Sequence, residues 1–111
     1  MSPEVKQNKA PTLTKRALTA TEIVANLAQL EGWRLSGDGA ELAIEKHFAC
    51  TDFQAAMAFA NAVAFIAQRQ DHHPELSVAY RHCTVRWRSH DAGGITRADF
   101  DCAALVDALL R

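Results

Sequence analysis

Over residues 1–16 (MSPEVKQNKAPTLTKR) the apolar positions have no regular spacing, and Pro3, Pro11 and three lysines interrupt them, as in a disordered tail. Order is expected to begin near Thr19. Thr19-Ala20-Thr21-Glu22 has the form of a capping box, and Ile23, Leu27 and Leu30 follow at helical spacing with Val24 beside them. Gly32 should stop this helix. Trp33 to Ser36 alternates as a short strand, Gly37-Asp38-Gly39 signals a turn, and Leu42, Ile44, Phe48 and Cys50 return with a period near two, broken at Lys46. Residues 33–50 therefore read as a β-hairpin with one apolar face. A second capping box at Thr51-Asp52-Phe53-Gln54 should open the longest helix, about 52–70. One stripe on it is Phe53, Met57, Ala60, Ala64 and Ala67, and a second is Phe59, Val63 and Ile66. So wide an arc packs on two elements or meets another subunit.

Asp71-His72-His73-Pro74 ends the helix, because a residue before proline is driven out of the α region. Residues 75–81 read as a strand with Leu76, Val78 and Tyr80 on one face. After a tight turn near Arg81-His82, Cys83, Val85, Trp87 and Ser89 alternate with Thr84, Arg86, Arg88 and His90 in a fourth strand. His90 to Gly94 is a loop. Thr96-Arg97-Ala98-Asp99 caps a last helix carrying Phe100, Ala103, Ala104 and Leu105 toward Leu109 and Leu110. The order α-β-β-α-β-β-α predicts an α+β fold: a four-stranded antiparallel sheet with three helices packed on one face, formed by residues 17–111 as one domain. The other face is left to water or to a partner.

Composition narrows the function more by exclusion than by assignment. The chain has 111 residues, 49% hydrophobic and 23% charged, with a formal charge of -1. A chain of this size buries about 65% of its unfolded surface, enough for one core. Near neutrality and the lack of a basic block argue against direct nucleic-acid binding, and no apolar run is long enough to cross a membrane. Cys50, Cys83 and Cys102 are odd in number, widely spaced and without a CxxC pair, as buried thiols in a reducing compartment would be. With no secretory signal in view, the expected location is cytoplasmic.

Three of the five histidines, His72, His73 and His90, lie within nineteen residues of chain. In an antiparallel hairpin the start of one strand lies near the end of its partner, so residues around Pro74 and around His90 should converge at one edge of the sheet. Three readings compete there. Scattered polar residues at a loop edge are the plainest. A metal site is disfavoured, since adjacent residues of an extended chain point apart and no HxH or HxxxH spacing occurs. Proton transfer suits imidazole, which titrates near neutrality and can act as acid and base in one turnover. Trp33 and Trp87 read as core aromatics and His47 and His82 as surface residues. Arg86 and Arg88 read as a solvated face or as the approach to a pocket.

The run Gln68 to Glu75 with its His72-His73-Pro74, then Tyr80, then Ser89-His90-Asp91-Ala92-Gly93-Gly94-Ile95-Thr96, then Asp99, closely resembles the pterin-4a-carbinolamine dehydratase family. Gly32-Trp33 and Thr51-Asp52-Phe53 fit its upstream half, so the resemblance covers about residues 18–111. It implies dehydration of 4a-hydroxytetrahydropterin to a quinonoid dihydropterin plus water, in tetrahydrobiopterin recycling for aromatic amino-acid hydroxylases. The resemblance gives His72 and His90 acid/base roles and His73 a part in binding and orienting the pterin. Pro74 would fix the start of the strand, and Asp99 would cap the last helix or orient the site. No metal or other cofactor is implied, and homodimers or homotetramers are. The chain departs from the family pattern at Gln68, where an ionisable residue is common, at Leu76, commonly aromatic, and at Ala92, commonly cysteine. The alternative is a non-catalytic binding protein on the same fold, a transcriptional coactivator or assembly chaperone. Loss of the histidines would mark that reading, and this chain keeps all three.

Overall fold

A computed structural model describes residues 16–111, so the expected N-terminal tail lies, but for Arg16, outside the described residues. The elements follow the expected order: α1 (Ala20–Leu27), β1 (Arg34–Ser36), β2 (Ala43–Ala49), α2 (Phe53–Gln70), β3 (Glu75–Ala79), β4 (His82–Trp87) and α3 (Arg97–Ala108), with short 3-10 turns at Gly39–Glu41 and His90–Ala92. The strands form one antiparallel sheet in the order β1-β2-β4-β3. Two hairpins therefore lie side by side, their second strands paired at the centre, and β1 and β3 are the edges. The α+β architecture read from the periodicity is the one observed. Among the described residues no helix is long and apolar enough to cross a membrane.

The caps account for where the helices start. The Thr19 hydroxyl accepts from the Glu22 N–H, and the Glu22 carboxylate accepts from the Thr19 N–H. With Arg16 also paired to it, the Glu22 carboxyl is held well below its ordinary value, at about 2. At α2 the expected box at Thr51 is not what forms: the cap is Asp52, one residue on, whose carboxylate accepts from the Ala55 N–H. α1 is shorter than its apolar spacing suggests and unwinds through turns before Gly32.

The centre of the sheet carries the core. Ile44 faces Trp87 and Phe48 faces Cys83 across β2 and β4, all of them buried with Val85 on the helix-covered side. Lys46 shares this parity, which explains the break in the series. Its stem stays half-buried while its ammonium reaches Asp107 Oδ1 and the Glu31 carbonyl, each at 3.0 Å. Asp107 also accepts from the Trp33 indole N–H, so β2, the start of β1 and the end of α3 close on one carboxylate. Arg97 donates to Asn26 Oδ1 and ties α3 to α1.

Three local expectations change. The buried stripe of α2 is Ala56, Ala60, Val63 and Ala67, a pure helical repeat, whereas Phe53, Met57 and Ala64 are exposed. Small residues face the sheet, Phe59 and Ile66 of the second expected stripe flank Val63 half-buried against the core, and Phe53, Met57 and Phe65 are left outside. β3 ends at Ala79, and the turn is Tyr80-Arg81, so Tyr80 leaves the strand face and stands 70% exposed beside Phe53 and Met57. In α3 the buried residues are Asp99, Phe100, Cys102, Ala103 and Val106, while Ala104, Leu105, Leu109 and Leu110 lie outward.

Candidate active site

The far end of α2, the end of β4 and the start of α3 meet at one open cleft of about 570 Å³. Each side is shaped by local backbone chemistry. α2 stops at Asp71, which takes a left-handed conformation (φ 53°) that aspartate tolerates better than bulkier residues. The His72 N–H then donates back to the Ala67 carbonyl, which fixes His72 at the helix end. Opposite it, β4 passes through Ser89 into a 3-10 turn that begins at His90. That turn closes at Gly93 (φ 71°), whose N–H reaches the His90 carbonyl at 3.2 Å. A Ser89–Gly94 bridge seals the base of the turn.

His72, His73 and His90 all line this cleft. The convergence expected from hairpin geometry is thus present: Glu75 pairs with Arg86, so the residues before β3 lie beside the residues after Trp87. The three rings differ in setting. His73 and His90 are exposed, whereas the His72 side chain is only 19% exposed. His72 Nε2 lies 2.6 Å from Asp99 Oδ1, and the ring stacks on Trp87 with centroids 5.5 Å apart and planes 11° from parallel.

Asp99 lies beneath the cleft, with no exposed surface. Its Oδ2 accepts from the Thr96 N–H at 2.9 Å and from the Ser89 hydroxyl at 2.8 Å. Since the Ser89 proton goes to Asp99, the Thr96 hydroxyl donates to Ser89 Oγ, 2.7 Å away. The two readings of Asp99 are therefore one arrangement: the carboxylate that caps α3 through one oxygen holds His72 through the other. A carboxylate accepts only, so Nε2 is the protonated nitrogen of His72. Nδ1 is left to exchange a proton.

Cys102 lies at the buried edge of the cleft. Burial, followed by the charges of Asp99 and Asp101, pushes its thiol up to about 12, so it lines the wall as a neutral group. Arg88 also borders the cleft, but its guanidinium is committed to the Ala40 carbonyl and to Glu41 and Glu75. Arg86 is likewise spent on Glu75, Glu45 and the carbonyls of Ser36, at the end of β1, and Glu41, in the turn before β2. Gln68 is exposed on α2, and neither it nor Pro74 is among the residues lining the cleft. Pro74 directly precedes β3. Ser89 was missed as a site residue. Its signal was a hydroxyl ending the inward series Cys83, Val85, Trp87, a place where a polar side chain needs a buried partner. Among the described residues no cluster of three or more His, Cys, Asp or Glu is arranged to hold a metal ion.

Comparison with known proteins finds relatives over most of the chain. A curated protein of Paracidovorax citrulli, named as a pterin-4-alpha-carbinolamine dehydratase, is 56% identical over 96 residues, covering 86% of this chain and 83% of its own. A protein of the same name from Bdellovibrio bacteriovorus is 45% identical over 98 residues, covering 85% and 78%. Among solved structures, a transcriptional coactivator/pterin dehydratase from Brucella melitensis superposes with a TM-score of 0.78 at 32% identity, covering 85% of this chain and 98% of the other. A pterin dehydratase-like protein described as a RuBisCO assembly factor in the alpha-carboxysome gives a TM-score of 0.58 at 25% identity, covering 71% and 89%. The family model for pterin 4 alpha carbinolamine dehydratase matches residues 16–109, a span that takes in every element from α1 to α3 and the whole histidine cleft, and the chain belongs to that family.

Proposed function

We propose that this chain is a hydro-lyase that dehydrates 4a-hydroxytetrahydropterin to quinonoid dihydropterin and water. The observation that carries the reading is the convergence of His72, His73 and His90 on one cleft, with His72 hydrogen-bonded to a carboxylate that has no exposed surface. The reaction breaks the C4a–O bond and removes the N5 proton. The electrons of the N5–H bond become the second bond between N5 and C4a. One group must protonate the departing hydroxyl and another must take the N5 proton.

His72 suits the base. A proton arriving at Nδ1 makes an imidazolium whose other N–H already points at Asp99, so the new charge forms beside a fixed anion. His90, exposed on its turn, suits the acid that protonates the hydroxyl. One proton enters at His72 and one leaves from His90, and the open cleft lets both reset through solvent. His73 binds and orients the pterin, Pro74 sets the start of β3 behind it, and Gln68 acts from the rim of α2 through a hydrogen bond at most. Recycling of tetrahydrobiopterin for aromatic amino-acid hydroxylases is the setting this chemistry serves. Relatives titled as a coactivator and an assembly factor have the same fold, but neither role calls for a proton-transfer set, so the retained histidines favour catalysis. Self-association belongs to the same reading, supported by the edge strand β3 and by exposed Phe53, Met57, Phe65 and Tyr80.

The direct test generates the 4a-carbinolamine with a phenylalanine hydroxylase and follows its decay with and without this protein. Acceleration over the spontaneous rate is expected, and none rejects the proposal. Light scattering checks the oligomer.

A further inference from the structure

Trp87 is entirely buried, and its indole N–H has no hydrogen-bond partner among the described residues. A buried orphan donor costs stability, and an indole usually finds a partner when it is buried. The neighbours of Trp87 in its inward series, Val85 and Cys83, fill their places without that cost. Hydrogen bonding therefore does not account for a tryptophan at this position. What an indole has, and an aliphatic side chain lacks, is a wide flat face, and that face lies against the His72 ring, nearly parallel to it.

His72 is held at two points, its own Cβ and, through Asp99, Nε2. Two fixed points leave one motion: rotation of the ring about the line that joins them. This motion leaves the hydrogen bond to Asp99 largely intact, but it swings Nδ1 out of its plane. The planar contact with Trp87 at 5.5 Å between centroids and 11° between planes opposes that rotation. A ring nitrogen gives or takes a proton in the plane of the ring, so the angle of this plane sets where Nδ1 aims in the cleft.

We propose that Trp87 is a positioning residue for His72, a flat backing that fixes the ring plane while Asp99 fixes the tautomer. The proposal rests on the dehydratase reading for its kinetic consequence and on the geometry alone for its spectroscopic one. Trp87 reaches neither solvent nor cleft and acts only through His72.

The test compares Trp87→Phe, which keeps a flat ring, with Trp87→Leu, which does not. Trp87→Met replaces the leucine variant if that variant fails to fold. In the carbinolamine assay the aliphatic variant should lose about tenfold in kcat or more with KM within about twofold, while Trp87→Phe should keep kcat within about threefold. Nitrogen-15 NMR of the His72 ring supplies a readout that needs no activity. The wild type and Trp87→Phe should each show one sharp set of Nε2–H ring signals, and the aliphatic variant should keep the Nε2–H form but show ring signals broadened by exchange between ring orientations. A folded aliphatic variant with the wild-type ring spectrum and wild-type kcat overturns the proposal. Equal losses in both variants, following only their thermal stability, also overturn it by leaving Trp87 a packing role. If the wild type has no dehydratase activity, the function fails, and the NMR comparison still decides for or against the positioning role.

Discussion

Histidine sits in two clusters on this sheet, and the two differ in what they have been given to work with. On the uncovered face, His47 and His82 stand edge to face at 6.4 Å, and His47 Nδ1 lies 2.5 Å from the Thr84 hydroxyl. The carboxylate near them, Glu45, is shared with Arg34 and Arg86. At the end of β4, His72 has a carboxylate that no lysine or arginine among the described residues touches and whose remaining donors, Ser89 and Thr96, are neutral. An anion saturated by guanidinium has little left for an imidazolium, whereas Asp99 keeps one oxygen for His72. Neither the number of histidines nor their closeness separates the clusters. Burial of the partner and absence of a competing cation do.

The sharpest way to break this contrast is to remove the rings. His72→Ala and His90→Ala should each lower kcat by about a hundredfold or more in the carbinolamine assay. His47→Ala and His82→Ala should stay within about twofold, as changes on a solvated face do. A comparable loss on the open face would end the distinction.

The carboxylates should differ next, in stability. Asp99→Ala strips the α3 cap and leaves the Ser89 hydroxyl and the Thr96 N–H buried without an acceptor, at a cost of about 2–4 kcal/mol in denaturant unfolding. Glu45→Gln should cost under about 1 kcal/mol at pH 7. Its loss should also depend on pH. Burial works against the Glu45 charge, but the Ser36 hydroxyl, Arg34 and His47 outweigh it and hold the carboxyl below its ordinary value. A lowered folded-state value means the contribution is present at neutral pH and fades as acid protonates the carboxyl. The wild type and Glu45→Gln should therefore converge in stability below about pH 4. A gap that persists or widens in acid contradicts that account.

The smallest effect is expected at the rim. Gln68→Glu restores an ionisable group on an exposed position of α2 that does not line the cleft, so the pH–rate profile should move by less than about twofold at any pH. A larger change would place Gln68 closer to the chemistry than its position suggests.

The capping boxes of α1 and α3, the turn glycines and the alternation in β2 and β4 were legible along the chain because each is a local preference, settled within a few residues. The same locality set the order α-β-β-α-β-β-α and, through hairpin geometry, the meeting of His72 with His90. The buried face of α2 was less legible: with apolar residues nearly all round, only close packing on the sheet selects Ala56, Ala60, Val63 and Ala67 over Phe53 and Met57. The length of β3 was hidden too, because Tyr80 continues an alternation that the two-residue turn cuts short.

By itself, then, the sequence determined the elements, their order and which histidines share an end of the sheet, since these follow from periodicity and chain connectivity. Tertiary structure alone decided that Asp99 both caps α3 and holds His72, that Ser89 completes its partners and that Trp87 backs the ring. Those pairings join residues from different elements, and their strength comes from burial, which no stretch of chain has until the others cover it.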